Sequence, residues 1–264
     1  MHKYKSVVMV LSLAATSHVS AQMIGSDAFS TAIGSIDTRD ATWSTIGNAG
    51  PVINGMAYNP NDDVFYGISA GSSNVYTIDA DTGRASVIGR GGGIAYGNAN
   101  GLAYDPIRNI LFGSDNNTHE LFTINTTTGE SARVAGFNNR FTEIEGLAFD
   151  SDNDTLYGLA PLQRAIVSID PRTADTQFVA SIPDGVWRGL TWNSDTGSLF
   201  LSAVNIFNDA DIFEYSISND SLSFVGNTRG IEAVQGLAYK SIPAPASVAV
   251  LGFAALGSNR RKRA

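Results

Sequence analysis

Five polar residues, Asn54, Asn100, Glu145, Arg188 and Gln235, each stand directly before a glycine. Amide and carboxylate oxygens are what Ca²⁺ takes as ligands, so Asn54, Asn100 and Glu145 could hold that ion if the fold brings them together. Arg188 in the same set opposes a cation. The five groups read first as solvated starts of strands, with a site for a small polar ligand or an ion as the alternative. Histidine and cysteine chemistry has little to work with. The chain has no cysteine, and of its three histidines His2 and His18 lie in the first 21 residues, which leaves His119. One histidine cannot build a multi-histidine zinc site. No nucleophile motif stands near it for a Ser-His-Asp relay, so His119 reads as an exposed loop residue and no residue is assigned a catalytic role. The run Asp150-Ser151-Asp152-Asn153-Asp154 looks like the front of a calcium loop but lacks Gly at the sixth position and Glu at the twelfth. It reads as a turn.

The glycines open a repeated motif: Gly55-Met56-Ala57-Tyr58, Gly101-Leu102-Ala103-Tyr104, Gly146-Leu147-Ala148-Phe149, Gly189-Leu190-Thr191-Trp192 and Gly236-Leu237-Ala238-Tyr239. The glycines are spaced by 46, 45, 43 and 47 residues. In a strand, side chains alternate between two faces. Gly and Ala then leave one face nearly bare for a close neighbour, while Met or Leu and the aromatic fill the other. After each of the first four copies come three more strand-like runs, such as Val64 to Gly67, Val75 to Ile78 and Ala85 to Ile88, joined by turns such as Asp79-Ala80-Asp81-Thr82-Gly83. Units of about 40 to 50 residues made of four short strands predict the blades of an all-β propeller, with the motif as innermost strand. The polar residues then ring one mouth of its central channel.

Both ends of the predicted domain carry pieces of one more blade. In the first three blades 11 positions separate a glycine of the second strand from the last apolar residue of the third, as in Gly67 to Ile78; Gly25 and Ile36 have the same spacing. The N-terminal part therefore reads as second, third (Ala32 to Asp37) and fourth (Thr42 to Ile46) strands lacking a first. The orphan fifth motif, Gln235 to Lys240, supplies it. This predicts a five-bladed propeller over residues 22–241, with one blade closed by both termini and no free sheet edge at the seam. Blade 4 differs: Leu201 replaces the glycine, and an insertion within Val204 to Ala210 carries Ile206 and Phe207, a candidate contact loop.

Flanking this domain are two segments of another kind. Residues 1–21 read as a secretory signal: Lys3 and Lys5, an apolar run from Val7 to Ala15, and Val19-Ser20-Ala21 as a small-residue cleavage site. Absence of cysteine fits an exported domain that does without disulfides. Of 17 basic residues two lie in that segment and four in the last five positions; the remaining 11 face all 25 acidic residues, a net of −14. Such a surface repels nucleic acid.

At the C-terminus, Pro243-Ala244-Pro245 is followed by the apolar run Val248 to Gly257 and by Arg260, Arg261, Lys262 and Arg263. This order resembles the PEP-CTERM sorting signals of exported bacterial proteins, in a variant with Ala244 in place of the central Glu. The resemblance covers residues 242–264. It implies an exosortase-type membrane enzyme as partner and delivery to the cell surface or extracellular matrix, with anchoring through the C-terminal segment. The ten apolar residues would span about 15 Å as a helix, half of the roughly 30 Å hydrocarbon core, so membrane insertion follows from the resemblance rather than from length. Glu145-Gly146-Leu147 is also similar to the Glu-Gly-Pro segment of gluconolactonase-type propellers, without the Pro; there the Glu binds a divalent metal. Two functions stay open. One is an exported, surface-sorted binding or structural module for extracellular polysaccharide or a surface protein. The other is a metal-dependent hydrolase or lyase of the gluconolactonase type, using the polar ring around Glu145.

Overall fold

The computed structural model describes residues 22–241 except 92, 139 and 208. The predicted sorting and signal segments lie outside these residues. In chain order the strands are β1 (Gln22–Asp27), β2 (Ala32–Ile36) and β3 (Trp43–Asn48); β4 (Gly55–Asn59), β5 (Val64–Ser69), β6 (Asn74–Ile78) and β7 (Ala85–Val87); β8 (Ala99–Asp105), β9 (Ile110–Asp115), β10 (Glu120–Ile124) and β11 (Ser131–Gly136). There follow β12 (Gly146–Asp150), β13 (Thr155–Ala160), β14 (Ala165–Ile169) and β15 (Thr176–Ser181); then β16 (Val186–Asn193), β17 (Ser198–Val204), β18 (Ala210–Ser216), β19 (Ser221–Asn227) and β20 (Val234–Lys240). They form five four-stranded antiparallel sheets. Blades 1 to 4 are β4–β7, β8–β11, β12–β15 and β16–β19, and blade 5 has the order β20-β1-β2-β3. The two-terminus blade is thus present, with Met23 opposite Tyr239 and Gly25 opposite Leu237.

Each blade buries its faces against its neighbours. The apolar core divides into five clusters, one per blade interface: blade 5 meets blade 1 through Ile24, Ile33, Met56 and Phe65, and blade 4 meets blade 5 through Phe200, Ile212, Leu237 and Tyr239. Phe65, Phe122 and Phe200 are fully buried in three of them, each contributing about 1.5 to 3 kcal/mol. The motif aromatic packs on a second-strand aromatic of the preceding blade: Tyr104 on Tyr66, Trp192 on Tyr157 and Tyr239 on Phe200, at 5.9, 6.1 and 6.0 Å between centroids. The bare face works as its composition predicts. A Cβ on Gly146 would lie 2.7 Å from Leu190 Cβ and 2.8 Å from Leu190 N, and one on Gly189 would lie 2.8 Å from Gln235 O.

One device was not visible in the pattern. In blades 2, 4 and 5 the first two strands slip by a bulge, between Ala99 and Leu102, Trp187 and Leu190, and Ser26 and Asp27. A buried serine repairs each slip. Ser114 Oγ accepts from Gly101 N at 3.1 Å and donates to Ile144 O of blade 3 at 2.8 Å. Ser202 joins Gly189 N to Val234 O, and Ser26 joins Gly236 N to Ile53 O, in the same way. Blades 1 and 3 carry Ile68 and Leu159 there and keep the ordinary ladder, with Asn54 N donating to Ile68 O and Glu145 N to Leu159 O. An unpartnered buried amide costs about 1 to 3 kcal/mol, which explains why the slipped blades have a hydroxyl at this place.

The run from Asp150 to Asp154 is the tight turn between β12 and β13. Asp150 Oδ1 accepts from the N–H groups of Asp152 and Asn153, and Asp154 takes the left-handed conformation with φ 52°. Asn59 and Asp105 open the matching turns of blades 1 and 2 in the same way.

Candidate functional site

Every motif glycine begins close to one end of the channel, so the five polar residues sit around that mouth, but the fold gives them different work. Asn54 turns back onto its own blade, and its Oδ1 accepts from Ala70 N at 2.9 Å. Asn100 and Gln235, from blades 2 and 5, which are not neighbours, meet across the axis. Gln235 Nε2 donates to Asn100 Oδ1 at 3.3 Å, and both side chains are buried. Three of the five are therefore spent on scaffold contacts, and the channel is bridged at this level.

Glu145 and Arg188 remain, on the facing edges of blades 3 and 4. They line a cleft of about 340 Å³ together with Glu143, Leu162, Arg164 and Trp187. Arg164 and Asp184 form an ion pair at 2.9 Å on its wall. Glu145 Oε2 and Arg188 Nε are both buried and have no hydrogen-bond partner. Burial pushes the Glu145 carboxyl above its ordinary range; the Arg188 charge pulls it back, and Glu143 adds to the rise. The arrangement is a protonatable acid beside a guanidinium, each with an unused hydrogen-bonding atom. It can hold a polar ligand that both donates and accepts.

This donor set does not fit a calcium ion, which takes about six to eight oxygens. The Asn54 and Asn100 oxygens already accept hydrogen bonds, and the nearby charge on the Arg188 side opposes a cation. Among the described residues no three His, Asp or Glu side chains are grouped to hold a metal.

Sequence reasoning missed Glu143, Leu162 and Trp187. Trp187 stands one residue before Arg188, and Pro161 marks the 3₁₀ turn Pro161–Gln163 that carries Leu162; these were the available signals. The connections on this face leave Phe29 of blade 5, Leu162 of blade 3 and Val186, Ile206 and Phe207 of blade 4 exposed. The blade-4 loop with Ile206 and Phe207 is held in shape by Asn205, whose Oδ1 accepts from Phe207 N and Asp209 N. His119 differs from the sequence expectation. It is half-buried, and its Nδ1 lies 3.1 Å from Thr142 O.

Solved structures share this architecture. A chain in a nidogen/laminin complex aligns with a TM-score of 0.56 at 12% identity, over 85% of this chain and 100% of that one. A structural genomics protein of unknown function from Bacteroides thetaiotaomicron VPI-5482 aligns with a TM-score of 0.57 at 13% identity, over 84% and 72%. A gluconolactonase from Xanthomonas campestris aligns with a TM-score of 0.55 at 19% identity, over 81% and 74%. At these identities the likeness is one of fold. No curated protein matches the chain. The family described as a repeat of unknown function, DUF6923, matches residues 21–230, nearly the whole propeller, and the chain belongs to that family.

Proposed function

We propose that the protein is an exported binding module held at the cell surface or in the extracellular matrix, and that its propeller engages a polysaccharide or a surface protein at the cleft between blades 3 and 4. The observation that carries this reading is how the ring is used. Three of its members are committed to the scaffold, while Glu145 and Arg188 line a cleft next to exposed apolar loops and each keep a buried atom without a partner. Polar anchors beside apolar area suit recognition.

The test is an array of extracellular polysaccharides and surface proteins probed with the propeller. Glu145→Gln with Arg188→Ala is expected to weaken capture at least tenfold, a loss of about 1.4 kcal/mol. Equal capture by the double variant would sink the cleft as the site. The hydrolase reading draws on the fold likeness to a gluconolactonase and is checked on the same proteins. The melting temperature is expected to be indifferent to Ca²⁺ and EDTA in wild type and in Glu145→Gln. A calcium-dependent rise that Glu145→Gln abolishes, with turnover of a lactone panel, would transfer the assignment to a metal-dependent hydrolase. A sign also follows from the raised carboxyl pKa. Its protonated form favours the folded state, so this contribution is lost as pH rises through the folded pKa, and Glu145→Gln is expected to flatten that loss.

Export and sorting rest on residues 1–21 and 242–264. Among the described residues no helix is long and apolar enough to cross a membrane. Gln22 and Lys240 pair at the mouth opposite the cleft, so an anchor leading from Ser241 would present the cleft away from the membrane. Replacing Arg260, Arg261, Lys262 and Arg263 by Ser is expected to impair processing by the exosortase-type enzyme and surface retention in the native host. Unchanged processing and location would refute the sorting role.

A further inference from the structure

At the mouth opposite the cleft, the motif aromatics Tyr58, Tyr104, Phe149, Trp192 and Tyr239, one from each blade, enclose a hollow of about 280 Å³. None of the residues lining it is charged. The three tyrosine hydroxyls are fixed by donating to turn residues: Tyr58 to Asp63, Tyr104 to Asn109 and Tyr239 to Asp195. Ser151 and Ser194 bring two further hydroxyls to the rim.

Trp192 sets this place apart. It is nine-tenths buried, with 9% exposure, and its indole N–H is buried with no acceptor. The other two tryptophans are satisfied: Trp43 Nε1 donates to Thr45 Oγ1 at 3.0 Å and Trp187 Nε1 to Pro183 O at 2.9 Å. A buried donor without an acceptor is uncommon in a native protein, and a guest in the hollow that Trp192 lines is one source of an acceptor. The wall then selects the partner. Absence of charge disfavours an ion, because a desolvated ion needs a counter-charge or several hydrogen bonds. A purely apolar guest would leave the indole N–H and the serine hydroxyls unpaired. Aromatic walls with a few hydroxyls and one N–H donor fit a molecule with a C–H face and peripheral oxygens. The volume lies at the small end of ligand pockets, roughly 300 to 1,000 Å³, and so accepts one ring rather than a chain of them.

We propose that this hollow binds one neutral saccharide ring, with a ring hydroxyl accepting from Trp192 Nε1, the C–H face against the aromatic wall, and further hydroxyls on Ser151 and Ser194. The site is independent of the cleft between blades 3 and 4 and stands or falls separately from it.

The test uses residues 22–241, which contain all five blades and the seam that closes them, with ¹⁵N-labelled tryptophan. The three indole resonances are assigned by Trp43→Phe, Trp187→Phe and Trp192→Phe, and the protein is titrated with the methyl glycosides of glucose, galactose, mannose and N-acetylglucosamine. At least one is expected to shift the Trp192 indole resonance saturably while leaving those of Trp43 and Trp187 in place. Ser151→Ala with Ser194→Ala, which keeps the indole, is expected to weaken that glycoside about tenfold. If no glycoside moves the Trp192 resonance, the proposal fails. It also fails if acetate or the peptide Ser-Ile-Pro-Ala-Pro-Ala moves it and no glycoside does, which would assign the hollow to an anion or to a proline-rich segment.

Discussion

Ending the chain after Asn227 is expected to yield a protein that aggregates or fails to melt cooperatively, whereas ending it after Ser241 leaves a soluble, cooperatively melting domain. The first truncation removes β20, which pairs with β1 from Gln22 to Asp27 and supplies the inner strand of blade 5. It strips away Val234, Leu237 and Tyr239, with 0%, 1% and 8% exposure. Burial of side chains of this size contributes on the order of 1.5 to 3 kcal/mol each, and an ordinary domain has only about 5 to 15 kcal/mol in total. The loss also opens an unpaired edge on β1, a template for association with other chains. Two further links go with the strand: the hydrogen bond from Gly236 N to Ser26 Oγ and the ion pair between Lys240 and Asp63. Circular dichroism melts and size-exclusion profiles of the two proteins decide the matter. Equal stability would mean that the ends do not close the ring.

Adding a single methyl group to a motif glycine is expected to have the next largest effect. Gly146→Ala would place Cβ against Leu190 Cβ and N, and Gly189→Ala would place it against Gln235 O and Leu237 Cγ at 2.8 and 2.9 Å. The obstacles are mostly backbone or near-backbone atoms of the next blade, so the whole inner strand has to shift. Overpacking of this kind costs about 1 to 3 kcal/mol, and rigid neighbours put these two sites at the upper end. The control is Gly71→Ala, whose Cβ would meet nothing within 4 Å. It is expected to change stability by less than about 1 kcal/mol, in either direction. Urea midpoints at constant m-value read the difference. Wild-type stability in Gly146→Ala would contradict the close approach of blades 3 and 4.

Everything that repeats locally could be read from the chain alone. The alternation of Gly and Ala with Leu and an aromatic follows from the two-residue period of a strand. Because the motif returns at near-constant spacing, it was enough to count blades and to match the two ends. The turn at Asp150 was legible for the same reason: its hydrogen bonds run to residues two and three places on. The site was not legible in this way. The five polar residues hold the same place in every repeat, but which members stay free depends on partners outside the motif. Gln235 reaches Asn100 across 135 residues, while Asn54 turns to Ala70 and so leaves Glu145 and Arg188 with unused atoms. Nothing local distinguishes these choices. The aromatics show the same division. Their period marked them as blade core, and their packing on Tyr66, Tyr157 and Phe200 agrees. Only closing the ring brings the five to one mouth, where their edges enclose a hollow and one indole N–H is left without an acceptor. Strand periodicity is a property of neighbouring residues, whereas the satisfaction of a buried polar atom depends on every blade that meets it, so the tertiary structure alone could decide the sites.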